Sequence, residues 1–173
     1  MRVLAVVLTF AVLAGAAVAA TGVRVIQGDW SAGGIIIGRS TPANGKRLLG
    51  APSTSRTVFG QSCVQSWKSA RVVVEFFTFE DKPCAKGVAL IVTVTGRAGW
   101  RTALGLRVGD SAARVRALYP KARLKSGVPG ENGYWLVTRG ICEEVGGGSY
   151  PGLLARIRAG RVSAFVSRIA VCD

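Results

Sequence analysis

Few side chains in this 173-residue sequence could do acid–base or nucleophilic chemistry: it has no histidine, nine Asp and Glu, and four cysteines. Glu75, Asp110, Glu143 and Glu144 are the candidate carboxylates. Two of them ~5 to 9 Å apart across a cleft would suit glycoside hydrolysis. Each has a plainer role, however. Asp110 stands beside an expected helix N-terminus, where negative charge is favoured, and Glu143 and Glu144 adjoin Cys142 in an expected loop. Without histidine, a serine or cysteine nucleophile lacks its usual general base, and neither a Gly-x-Ser-x-Gly elbow nor a Ser-x-x-Lys motif occurs. Gly45-Lys46 is not part of a phosphate-binding loop, which needs glycine in place of Ser40 and Ser or Thr in place of Arg47. The absence of any Cys-x-x-Cys excludes a zinc ribbon. The chain reads as a non-enzymatic protein with no cofactor.

The cysteines gain meaning from the first twenty residues. Met1-Arg2 is followed by an apolar run from Val3 to Leu13, broken only by Thr9, and then by small residues from Ala14 to Ala20 with an Ala17-x-Ala19 pattern. This predicts a cleavable export signal over residues 1–20 and a location outside the cell or in the envelope space. The apolar run is shorter than the ~20 residues that span a bilayer, and no later segment approaches that length. In an oxidising compartment four cysteines suggest two disulfides with three possible connectivities, of which the local pairs Cys63–Cys84 and Cys142–Cys172 are expected.

Twenty-three Lys and Arg give a formal net charge of +14, which concentrates the protein near polyanions. Export makes nucleic acid an unfavoured partner and leaves acidic proteins or anionic wall polymers. An apolar fraction of 49% argues for a folded chain.

Two phrases organise the rest. Ile35 to Ser40 leads into a short helix that stops at Leu49-Gly50-Ala51-Pro52, and Leu106 to Ser111 leads into one that ends at Leu118-Tyr119-Pro120. Ser40 and Ser111 read as N-caps. Alternating patterns then predict strands at Ser62 to Trp67, Val72 to Phe79 and Val88 to Thr95, and again at Tyr134 to Arg139, Leu153 to Arg158 and Arg161 to Val171. A tight turn at Ala159-Gly160 would set Ile157 against Val162, Ala155 against Ala164 and Leu153 against Val166. The expected architecture is α+β, with a linker over 21–33 and two tandem repeats over 34–103 and 104–173, each a short helix followed by antiparallel strands, the sheets forming a concave face.

On such an open face, aromatic residues beside arginines suit protein recognition. Trp67, Phe77, Trp135, Arg156, Arg158, Arg161 and Phe165 are the candidate binding residues. Stacking of single-stranded bases would use the same residue types, but export disfavours it.

The two helix phrases with their following strands resemble the beta-lactamase inhibitory protein superfamily, and are similar to small envelope lipoproteins of the outer-membrane barrel assembly machinery. The resemblance covers about residues 34 to 173. It implies the tandem helix-plus-sheet fold and a protein that binds other proteins, as an inhibitor or envelope adaptor. The lipoprotein branch would need a lipid-accepting cysteine after the signal, and the first cysteine is Cys63.

Overall fold

A computed structural model of the chain describes residues 24–126, 132–140 and 149–169. The expected export signal, Glu143, Glu144 and the expected Cys142–Cys172 pair lie outside the described residues. Three very short strands come first: β1 (Val25–Gln27), β2 (Ser31–Ala32) and β3 (Ile35–Ile36). Helix α1 (Pro42–Leu49), β4 (Thr54–Val58), β5 (Ser62–Trp67), β6 (Val72–Phe77), α2 (Pro83–Lys86), β7 (Val88–Thr95) and β8 (Arg101–Thr102) follow. The remainder is α3 (Ala112–Leu118), β9 (Arg123–Lys125), β10 (Gly133–Gly140), β11 (Ser149–Arg158) and β12 (Arg161–Arg168).

The expected α+β tandem of helix-plus-sheet repeats is not what forms. The described chain is mostly β, with one sheet of eight strands, one of four and three short helices. The large sheet runs β4-β5-β6-β7-β12-β11-β10-β9, every neighbour antiparallel, so that β12 is inserted between β7 and β11. The small sheet runs β3-β2-β1-β8. Helices of eight, four and seven residues are too short to cover eight strands. Residues 25–36, whose short strands carry no readable period, supply the missing cover.

Pairing fixes which side chains meet. Trp67 faces Val72, Val72 faces Val94, Val94 faces Phe165, Phe165 faces Ala155 and Ala155 faces Tyr134. This apolar row crosses six strands and belongs to one core with Ile26, Ala32, Ile35, Trp100, Leu106 and Val115. All the covering elements pack on this side. Gly45 of α1 is so close to Trp67 that an added Cβ would lie 3.0 Å from the indole, α3 contributes Val115, and α2 is tied to β5 by the expected Cys63–Cys84 disulfide. Gly33, with φ of 59°, lets the β2–β3 turn pass against Trp100, where an added Cβ would sit 2.5 Å from the ring.

The β11–β12 hairpin departs from its expected register. Arg158 faces Arg161 and Ile157 faces Val162, but Arg156 then faces Ala164, which leaves Ser163 as an extra residue in a β-bulge. Beyond it Ala155 faces Phe165 and Leu154 faces Val166, in place of the expected Ala155–Ala164 and Leu153–Val166 pairs. Magnitudes explain the choice. Burying a phenylalanine stabilises by roughly 1.5–3 kcal/mol, whereas a ladder hydrogen bond forgone at the bulge is worth about 1 kcal/mol. A regular register would turn Phe165 outward; the bulge turns it into the core.

Capping also differs in one place. Thr41, not Ser40, caps α1: its hydroxyl accepts from Asn44 N–H at 3.4 Å, and Asn44 Oδ1 accepts from Thr41 N–H at 2.9 Å. Ser40 is buried and accepts from Ile36 N–H at 2.9 Å. Ser111 caps α3 as expected, accepting from Arg114 N–H at 3.2 Å.

Candidate binding face

The described helices and small-sheet strands put their core residues on the side just described; on the other side Val166, Leu154 and Trp135 are nonetheless buried, at 5%, 2% and 7% exposed. Successive pairings lay a second row across all eight strands. Thr54 faces Ser66, Ser66 faces Val73 and Val73 faces Thr93. Thr93 then faces Val166, Val166 faces Leu154, Leu154 faces Trp135 and Trp135 faces Arg123. Val73 and Thr93 are half-buried, while Val166, Leu154 and Trp135 form a separate small apolar cluster with Ile91 packed against it. Long cationic side chains flank that cluster. Lys125 Nζ stands 5.4 Å from the centre of the Trp135 ring, Arg123 is opposite Trp135, Arg156 is opposite Ala164, and Arg168 is opposite Ile91. Such side chains can lay their methylene stems along apolar surface while holding charge in water.

Among the described residues Glu75 is the carboxylate of this face. Its Oε1 accepts from Ser62 Oγ at 2.9 Å. The other described carboxylates are engaged elsewhere or stand in exposed turns. Asp110 Oδ2 accepts from Arg107 N–H at 2.8 Å, in the loop before α3. Glu80 pairs with Lys86 at 2.6 Å, which holds its carboxyl below the usual range. The Arg139 guanidinium likewise holds the Asp29 carboxyl below its ordinary value, against the opposing effect of burial. Glu75, in β6, and Asp110, in the loop before α3, are thus on separate elements, and no cluster of three or more potential metal ligands occurs among the described residues.

The expected binding residues divide between the two sides. Trp67 and Phe165, each 1% exposed, belong to the core row and not to the open face. The indole N–H of Trp67 donates to Gly50 C=O at 2.8 Å. Trp135, buried at 7% exposed, and half-buried Arg156 lie on the side away from the helices, and the exposed Arg158 continues that side to the hairpin tip. Phe77 is also on that side but at the opposite end of the strands, opposite Val88. Arg161 is exposed at the tip and donates to Gly109 C=O at 3.0 Å. Arg123, Lys125, Arg168, Val73 and Thr93 were not among the candidates. Alternation in β6 and β7 signals the last two, whereas three exposed residues in β9 give no periodic signal at all.

Ser66, Trp67, Lys68, Arg71, Val72, Val73 and Thr95 line an open groove of about 440 Å³ at the β5–β6 turn. Lys68 and Arg71 stand exposed at its mouth. No family model, curated protein or solved structure matches the chain.

Proposed function

We propose that this is an exported, non-enzymatic binding protein that takes an acidic partner protein on the side of its large sheet away from the described helices, as an inhibitor or an envelope adaptor. One observation supports the reading: exposed Arg123, Lys125 and Arg158 and half-buried Val73, Thr93, Arg156 and Arg168 share the side of the large sheet away from the described helices, around a buried cluster of Trp135, Leu154 and Val166. Aromatic and arginine side chains dominate the energetics of protein interfaces, and the cations would steer an acidic surface into register. Export is the reading of residues 1–20.

Net charge favours a second reading, retention on an anionic wall polymer. The two are separated by position. A captured partner, purified, should bind an Arg123→Glu, Arg158→Glu double variant at least tenfold more weakly, with the melting temperature unchanged. Replacing Arg47 and Arg114, on the helices of the other side, should leave binding intact. Equal losses from both pairs of substitutions would instead favour attraction by net charge alone.

A further inference from the structure

Phe59 is 97% exposed and has a backbone φ of 52°. With Gly60, at φ 74°, it makes the β4–β5 turn. A left-handed residue in such a turn is most easily asparagine, aspartate or glycine, and a bulky side chain there is disfavoured. Neither the core nor the turn geometry calls for phenylalanine at this position. Phe79 is 70% exposed, and its ring meets that of Phe77 edge-on at 4.9 Å. Thr78 N–H donates to Gln61 C=O at 3.1 Å, which fastens the Phe79 segment to the Phe59 turn.

The same end of the large sheet carries two more exposed apolar side chains, Ile169 and Ile36. Ile169 N–H donates to Leu90 C=O near the start of β7, where Val88 pairs with Phe77. Gly38, two residues beyond Ile36, lies against the Ile169 side chain. Arg39, Arg56 and Lys82 are exposed around this rim, as are Asp81 and Glu80, the latter paired with Lys86.

We infer that this end of the sheet docks on an anionic lipid bilayer, with Phe59 and Phe79 entering the headgroup region and the cations lying over lipid phosphates. The four apolar side chains come from four separate segments, Phe79 with its ring edge-on to Phe77. A protein groove would have to match each projection, whereas a fluid interface accommodates any such pattern. Phenylalanine is among the apolar side chains that peripheral segments bury at that depth, and a chain of net charge +14 is complementary to an acidic membrane surface. No helix among the described residues is long and apolar enough to cross a membrane, so the contact is peripheral. This attachment uses the end of the strands and leaves the row proposed for the partner protein open.

The test compares the chain after removal of the expected export signal over residues 1–20 with its Phe59→Asn, Phe79→Ser variant, in co-sedimentation with phosphatidylglycerol–phosphatidylcholine vesicles. The variant should partition at least tenfold less, with a melting temperature equal to or above that of the wild type, because asparagine suits the left-handed turn. In a Phe59→Trp variant, the difference emission against wild type should shift to the blue and be quenched by nitroxide-labelled lipid. Unchanged partition of the double variant, or no blue shift, would overturn the inference, the first leaving charge alone and the second pointing to a protein pocket for the rings.

Discussion

Arg139 clasps Asp29 at two points across 110 residues of sequence: Nη2 donates to Oδ1 at 3.0 Å, and Nε donates to Oδ2. Asp29 lies in the β1–β2 turn and Arg139 near the end of β10, so the pair joins the small sheet to the large one. The carboxylate side chain is only 10% exposed, and it abuts Gly152, where an added Cβ would lie 2.6 Å from Oδ2.

Removing the guanidinium would strand a mostly buried carboxylate. Arg139→Ala is expected to destabilise the chain by about 1–3 kcal/mol, read as a lower urea midpoint at neutral pH. The sign of the pH dependence follows from the depressed folded-state pKa of Asp29. The stabilisation is fully present above the unfolded value of about 3.9 and is lost as pH falls through the folded value, because the unfolded chain then binds more protons. The stability difference between wild type and Asp29→Asn should therefore be flat from pH 7 to pH 5 and shrink below pH 4. A difference that persists undiminished to pH 2 would contradict the ion-pair account.

Cys63 and Cys84 close a loop with a sequence separation of 21. The loop-closure entropy removed from the unfolded chain corresponds to about 3 kcal/mol. A Cys63→Ala, Cys84→Ala variant should lose roughly that amount in equilibrium unfolding, and wild type under reducing agent should lose the same. A loss confined to reduced wild type would implicate other cysteines.

The Ser163 bulge makes a prediction about deletions. Removing Ser163 restores simple alternation with Phe165 still facing Ala155, so the cost should be about 1 kcal/mol, the worth of its hydrogen bond to Arg156 C=O. Removing Val73 from β6 would rotate Glu75 into the core and should abolish folding. Circular dichroism melts of the two deletions decide this; equal melting temperatures would refute the assigned register.

Much of the large sheet was legible because its strands alternate. The bounds of β5 and β7 coincide with those read from sequence, and so does the turn at Ala159-Gly160. What escaped did so for physical reasons. Edge strands β4 and β9 are exposed along nearly their whole length and show no alternation. Strands β1, β2, β3 and β8 are two or three residues long, below any period. Trp67 and Phe165 were placed on the open face because a regular register was assumed and because residue type does not reveal facing direction; a single extra residue reverses every side chain that follows it. Trp135 stands opposite Leu154, two residues from Arg156 on the same side of β11, because β10 and β11 pair directly.

The insertion of β12 between β7 and β11 sets the order in which the chain can fold. Synthesis delivers β4 to β7 and later β9 to β11, yet neither group gains its central neighbour until β12 has been made. Thr95 then pairs with Ala164 and Ile91 with Arg168 across most of the intervening sequence, and contacts so distant along a chain form slowly. A nascent chain would therefore stay unfinished while it is being made. For the export proposed above, that delay would suit threading through a narrow translocation channel, with the sheet closing on the far side.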